Sequence, residues 1–236
     1  MLSIAQELGL SETAFLQPMP NSAGYTIRFF SPVMEIPLCG HATLASAKVI
    51  FEHLSVASVK FTNINNLVLA AREVAGEIVM EFPIYDTEES EAAPALLHAL
   101  GLVGVENVVY NKETNILMLE IASTETLAKL TPDYGALVKS HDSINGVLVT
   151  APSQGDKYDF HSRYFWPWSG TNEDPVTGGT HTFLAKYWAD KLNKTCLRSF
   201  QASKRSGFMQ VELVGEKLLI TSQAQIVFEG KLRCRV

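Results

Sequence analysis

The sequence predicts an α+β protein of two pseudo-symmetric domains, each a β-sheet or barrel wrapped around one central α-helix. Three observations predict it. Two turns of one kind lead into apolar helices: Glu35-Ile36-Pro37-Leu38-Cys39-Gly40-His41, and Glu173-Asp174-Pro175-Val176-Thr177-Gly178-Gly179. Their flanks match as well. Arg28-Phe29-Phe30-Ser31-Pro32 precedes the first turn and Arg163-Tyr164-Phe165-Trp166-Pro167 the second. Phe61 and Phe200 follow the two helices 139 residues apart, Gly76 and Gly215 keep that offset, and Gly40 and Gly178 lie 138 apart. Finally, the helix expected over Ala42–Leu54 is apolar on nearly every side (Leu44, Ala47, Val49, Ile50, Phe51). In a β-rich chain such a helix is one enclosed by sheet. A duplication of this kind places a cleft between the copies, where both helix starts can converge.

Taken in order, Met1–Leu8 suits a helix through Leu2, Ile4, Ala5 and Leu8, with Gly9 as its C′ residue. Leu10–Leu16 is a β-rich run carrying Glu12 between apolar neighbours, and Asn21–Gly24 is the turn before a strand at Tyr25–Phe30. A carboxylate in apolar surroundings has its pKa pushed up from about 4.3, which suits proton transfer; a solvent-facing strand residue is the plainer reading. Strands follow the first helix at Val59–Thr62, Leu67–Ala71 and Ile78–Phe82. The acidic stretch Asp86–Ala93 marks the domain boundary, giving 1–90 and 91–236, with the last strand returning to the first domain. Helices at Ala95–Leu102 and Glu125–Leu130 and strands at Asn107–Tyr110, Ile116–Ile121, Val147–Ala151 and Asp159–Phe165 open the second domain. Its helix follows Gly178-Gly179, with Phe183, Leu184, Tyr187, Trp188 and Leu192 at helical spacing, and strands at Met209–Val214, Lys217–Thr221 and Ala224–Phe228 close it.

Composition narrows the function classes. A chain of 236 residues, 47% hydrophobic, is long enough for two packed domains. A net charge of −6 argues against a nucleic-acid surface. No apolar run spans a bilayer and no signal peptide opens the chain, so the cytoplasm is the expected location. Cys39, Cys196 and Cys234 show no C-x-x-C spacing, which disfavours a disulfide framework or a zinc site. No nucleotide loop and no G-x-S-x-G elbow is present. His41, His161 and His181 lack the spacing of a metalloprotease pair. No cofactor and no metal is therefore expected. Glu12, His41 and Asp174, with free N–H groups at Gly40 and Gly178 on two helix starts, suit cofactor-free proton transfer on a small carboxylate-bearing substrate. Tyr164, Phe165, Trp166 and the loop after Phe200 are the expected pocket walls.

At these residues the sequence resembles the phenazine-biosynthesis PhzF-like proteins of the diaminopimelate epimerase superfamily. The matching segments are L-S-E-T-A-F (10–15), E-I-P-L-C-G-H-A-T-L-A-S-A (35–47), S-R-Y-F-W-P-W (162–168), N-E-D-P-V-T-G-G-T-H (172–181) and F-Q-A-S-K-R-S-G (200–207). The resemblance implies two matching domains with the active site between them. It places the acid/base role on Glu12 and substrate contacts on His41 and Asp174, with Gly40 and Gly178 presenting backbone N–H groups. It also implies a homodimer and an isomerase that shifts a proton on a small carboxylic acid.

Three departures from the family pattern stand out. Superfamily racemases use two opposed thiols, whereas Cys39 here faces a second turn holding Thr177 or Gly178, so Cys39 is expected to pack as a small apolar residue. Gly179-Thr180 stands where the family usually has Ser-Ala, which removes an expected substrate hydroxyl unless Thr180 supplies one. Family members also begin a few tens of residues earlier, with an opening strand and a loop bordering the site, so the first domain is expected to be incomplete at its start. Two readings follow: a PhzF-like isomerase, or a catalytically silent PhzF-like protein (or inactive short form) that binds a protein partner.

Overall fold

A computed structural model describes residues 1–20, 24–155 and 157–232; of the expected turn Asn21–Gly24, residues 21–23 lie outside them. Helix α1 (Leu2–Leu8) ends at Gly9, whose φ of 61° is the left-handed conformation glycine takes without strain. Strands β1 (Thr13–Pro18) and β2 (Gly24–Phe30) pair antiparallel, and the short β3 (Glu35–Ile36) pairs with β2. Helix α2 (Gly40–Leu54) then crosses to β4 (Ser58–Thr62), parallel to β2, and β5 (Val68–Val74) and β6 (Glu77–Pro83) continue as a meander. Next come β7 (Glu88–Glu89), α3 (Pro94–Leu100), β8 (Asn107–Asn111), β9 (Ile116–Glu120), α4 (Thr124–Lys129) and α5 (Tyr134–Lys139).

The strand pairing of the first half recurs after them. Strands β10 (Gly146–Pro152) and β11 (Phe160–Trp166) pair antiparallel, β12 (Thr171–Asp174) pairs with β11, and α6 (His181–Leu192) crosses to β13 (Cys196–Gln201), parallel to β11. Strands β14 (Gly207–Val214) and β15 (Lys217–Ser222) repeat the meander. The order β1-β2-β4-β5-β6-β15-β14-β13-β11-β10 thus reads alike from either end, joined at the antiparallel β6–β15 pair, and β9-β8-β7 extend it beyond β10. Matching ion pairs brace the matching corners. Arg28 holds Glu35 across β2–β3 through two 2.7 Å bonds, and Arg163 holds Glu173 across β11–β12 at 2.7 and 2.9 Å.

One apolar cluster runs through both halves. Leu44, Ala47 and Phe51 of α2 and Phe183, Leu184 and Trp188 of α6 pack with Phe29, Phe61 and Phe160 of the sheet. Trp188 stacks on Phe160 at 5.6 Å and donates its indole N–H to Thr150 Oγ1 at 3.0 Å. A second cluster buries α3, α4 and α5 on the opposite face of β9–β11 through Leu100, Leu127, Leu137, Leu119 and Val149. Covered on both faces, β9 and β10 read as unbroken apolar runs, Ile116–Leu119 and Val147–Val149, where a half-exposed strand would alternate.

Several expectations change. Glu12 lies just before β1, not on a strand, and is buried. Helix α2 is not enclosed all round, because Ala45, Val49 and Glu52 form an exposed stripe. Ala224–Phe228 is not a strand, and Val227 and Phe228 are exposed. The reason is topological: both edges of β15 are already paired, to β6 and to β14, so a strand following directly on it cannot pair with it, and the sheet's open edges are β1 and β7. Strands β3, β7, β12 and β13 and helix α5 were not expected at all, β7 lying inside the expected linker Asp86–Ala93; β3 and β12 are short strands held by the corner ion pairs.

Candidate active site

The two helix starts meet each other. A Cβ placed on Gly40 would lie 3.1 Å from Gly178 Cα and 3.4 Å from its nitrogen, so these glycines are there for backbone-to-backbone contact. Cys39, before α2, makes no side-chain cap, which leaves first-turn N–H groups of that helix for a ligand, whereas at α6 the N–H groups of His181, Thr182 and Phe183 already donate to the carbonyls of Gly178, Gly179 and Thr180. Around this contact lies a cavity of about 380 Å³ lined by Glu12, His41, Asp174, Tyr164, Trp166 and Glu113 among others. Among the described residues no lysine or arginine lines it.

Three ionisable groups converge from separate elements. Glu12, brought in after the Gly9 turn, places Oε2 2.7 Å from Nε2 of His41, on the first turn of α2, and its side chain is 1% exposed. His41 Nδ1 sits 3.0 Å from the Val176 carbonyl oxygen. A carbonyl only accepts, so Nδ1 carries a proton in either charge state and Nε2 turns to Glu12 and Cys39. Burial pulls the imidazole down, but Cys39, Glu12 and Asp174 reverse this and hold it well above its usual range. Burial in turn raises the Cys39 thiol, which leaves the Glu12 and Asp174 contacts to oppose burial of the ring when that thiol is neutral. Its ring keeps 27% of its side-chain surface, and it lines the cavity.

Asp174, the last residue of β12, is buried beside Pro175. Burial and, secondarily, the Glu12 charge push its carboxyl up to about 6, against the lowering effects of His41 and the Thr177 hydroxyl. Thr177 donates to Oδ2 at 2.6 Å, while Oδ1 lies 3.9 Å from His41 Nδ1 and has no hydrogen-bond partner. Matching corners make its identity telling. Asp174 pairs with Tyr164 as Ile36 pairs with Phe29, so a buried carboxylate stands where the first half has a buried isoleucine. A buried acid with an open oxygen has a cost that packing alone does not require.

The remaining expected residues are placed plainly. Gly179 has open space where a Cβ would stand, and Thr180 is buried with its hydroxyl donated to the Thr177 carbonyl at 3.0 Å. Both line the cavity, as do Gly40 and Gly178. His181 is fully buried between the Thr177 carbonyl and Ser199 Oγ, both at 2.9 Å, and burial lowers it to about 4, a neutral structural histidine. Phe165 faces the second cluster and not the cavity, because neighbours on a strand alternate faces. The loop after Phe200 also stays off the wall; the β8–β9 turn supplies Glu113 and Thr114 instead. Gln201 is the residue that sequence reasoning missed. It accepts from Thr177 N at 2.7 Å and donates to the Asp174 carbonyl at 2.8 Å and to Thr177 Oγ1 at 3.0 Å, locking the Asp174 turn. Its only sequence signal was membership of the F-Q-A-S segment.

The profile of the PhzC-PhzF family, described as phenazine biosynthesis-like protein, matches residues 1–230. This chain belongs to that family. An uncharacterized isomerase of Halalkalibacterium halodurans is 36% identical over 234 residues, covering 98% of this chain and 86% of that protein. Phenazine biosynthesis-like domain-containing protein 1 of Mus musculus is 36% identical over 250 residues, covering 97% and 86%. The crystal structure of a PhzF family protein from Enterococcus faecalis superposes with a TM-score of 0.89 at 36% identity, covering 99% of this chain and 86% of that one. The PhzF fold is therefore the fold of this chain. Among the described residues no helix is long and apolar enough to cross a membrane.

Proposed function

We propose that this PhzF-family chain is a cofactor-independent isomerase that moves a proton on a small carboxylic acid, with Glu12 as general acid/base. The observation that carries the reading is the buried Glu12 carboxylate, 2.7 Å from His41 and opening on the cavity where the two helix starts meet. With no lysine or arginine among the described residues of the wall, the substrate carboxylate falls to the uncapped N-terminus of α2, whose N–H groups and dipole favour one anionic group. Glu12 takes the proton from the activated carbon as the C–H bond breaks. The electron pair moves into the conjugated carboxylate, where the helix N–H groups stabilise it, and Glu12 returns the proton to another carbon. Glu12 and Asp174 both raise the His41 imidazole in the resting site. The isomerase named among the relatives supports this reading. The proposal includes a homodimer, which sedimentation velocity tests against the 26.0 kDa mass of one chain.

Deuterium wash-in tests it. The chain incubated with a small-metabolite extract in heavy water should add one deuteron to a defined carboxylic acid; an extract left unlabelled counts against the reading. The rate should rise as pH climbs through about 6, where Asp174 ionises, and Asp174→Asn should remove that acid limb. Stability moves the other way. The folded state holds the Asp174 proton more tightly than the unfolded state, so this contribution is full below the unfolded value of 3.8 and lost as pH passes about 6. Asp174→Asn should therefore match the parent near pH 4 and exceed it near pH 7. Allowing for the partner His41 loses, the gain is on the order of 1–2 kcal/mol in urea unfolding.

A further inference from the structure

We propose that Glu12, Cys39 and His41 form a binding site for a thiophilic divalent cation such as Zn²⁺, which switches the acid/base centre off. One ligand atom from each of Cys39, His41 and Glu12 lies within 4.8 Å of the other two, in the cavity wall. Sγ and Nε2 are 3.5 Å apart. Two ligands of a tetrahedral zinc, at about 2.3 Å for sulfur and about 2.0–2.1 Å for nitrogen, stand about 3.5 Å apart. The contact between Nε2 and Oε2, at 2.7 Å, is an ion-pair approach without hydrogen-bond geometry, which leaves Oε2 a buried oxygen with no hydrogen-bond partner, and a metal needs it opened to about 3.4 Å by a turn of the Glu12 carboxylate.

The histidine is already oriented as a ligand. A metal-binding imidazole donates its other N–H to a carbonyl or carboxylate, and His41 Nδ1 does this to Val176 at 3.0 Å, which turns Nε2 toward the other two donors, ready to ligate once its proton leaves. Cys39 has no place in the proton transfer, yet its sulfur is aimed at the same nitrogen. The cavity supplies the fourth, open position. Its wall carries Glu12, Glu35, Glu113 and Asp174 with no lysine or arginine among the described residues, a field that draws cations in; Glu35 is held by Arg28 and the others are not paired to a base of that kind. Asp174 Oδ1, buried and without a hydrogen-bond partner, lies on the Nδ1 side, where its charge offsets the dication without ligating it.

On binding, the metal takes the place of the proton on Nε2 and of the thiol proton, and both protons leave to solvent. It thereby occupies the two atoms the isomerase reading needs. That consequence rests on the proposed function; binding itself does not.

The test uses Co²⁺ alone on the full, reduced chain, with Cys196 and Cys234 replaced by serine so that Cys39 is the one thiol. A near-ultraviolet thiolate-to-cobalt band with the intense visible bands of a four-coordinate ion is expected, displaced by Zn²⁺. Cys39→Ser should abolish the near-ultraviolet band. His41→Ala and Glu12→Gln should weaken binding at least about tenfold, Glu12→Gln keeping the band because thiol and imidazole remain. Circular dichroism confirms that each variant keeps its strand signal. No band, a band that survives Cys39→Ser, or an affinity indifferent to His41→Ala overturns the proposal. The spectrum reads binding whether or not the chain moves protons, so its failure is separable from failure of the isomerase reading.

Discussion

Glu12→Gln should lower deuterium wash-in by about 10²–10⁴-fold, the usual worth of a positioned general acid/base, while the fold stays intact. Glutamine keeps the shape of the side chain and an oxygen that can accept from His41 Nε2, so the 1% exposed side chain remains packed. What it cannot do is take a proton from carbon. His41, raised well above its usual range partly by this carboxylate, should titrate lower in the variant, a shift that NMR of the ring protons reads directly. A variant that keeps full wash-in would move the acid/base role elsewhere in the cavity. One that unfolds would leave the His41 titration in Asp174→Asn as the remaining check on the same charge network.

Gly40→Ala should cost about 1–3 kcal/mol of stability and on the order of 10² in rate, although it adds one methyl group. The added Cβ would stand 3.1 Å from Gly178 Cα, and the atoms it meets are backbone, which cannot swing away. Gly178 is held in turn, because its carbonyl accepts from His181 N at 3.1 Å and the preceding Thr177 N donates to Gln201. Relief must come from parting the two helix starts, and with them His41 and the Asp174 turn. Gly179→Ala is the control. Its Cβ would enter open space, so stability should change by less than about 0.5 kcal/mol while the methyl narrows the cavity. Denaturant unfolding of the pair, read beside wash-in, separates the two effects. Equal stability for both variants would mean that the helix starts can part freely.

Much of the candidate site was legible in the chain because its chemistry sits at local punctuation. The acidic-X-Pro turns running to Gly40 and Gly178 announced two helix starts, and the matched Arg28 and Arg163 flanks announced that they are counterparts. The same matching would have set Asp174 against Ile36, a contrast available from the sequence and explained only by the paired corners. Gln201 was not legible, since nothing near it in sequence shows that it spans 24 residues to clamp Thr177. The expected strand at Ala224–Phe228 failed for a similar reason: its apolar residues fit a strand, but whether β15 has an edge left to pair depends on β6, far away in the chain.

By itself the sequence determined the fold class, the recurrence of one unit, most elements and the residue types that could move a proton, because each depends on local periodicity or on spacing along the chain. Only the tertiary structure decided that the glycines serve to let two helices touch, that Glu12 meets His41 rather than an apolar wall, and that Cys39 shares that nitrogen. These are contacts between elements brought together by β-pairing across the two halves. Their distances depend on the register and twist of the whole sheet, to which no single stretch of sequence has access.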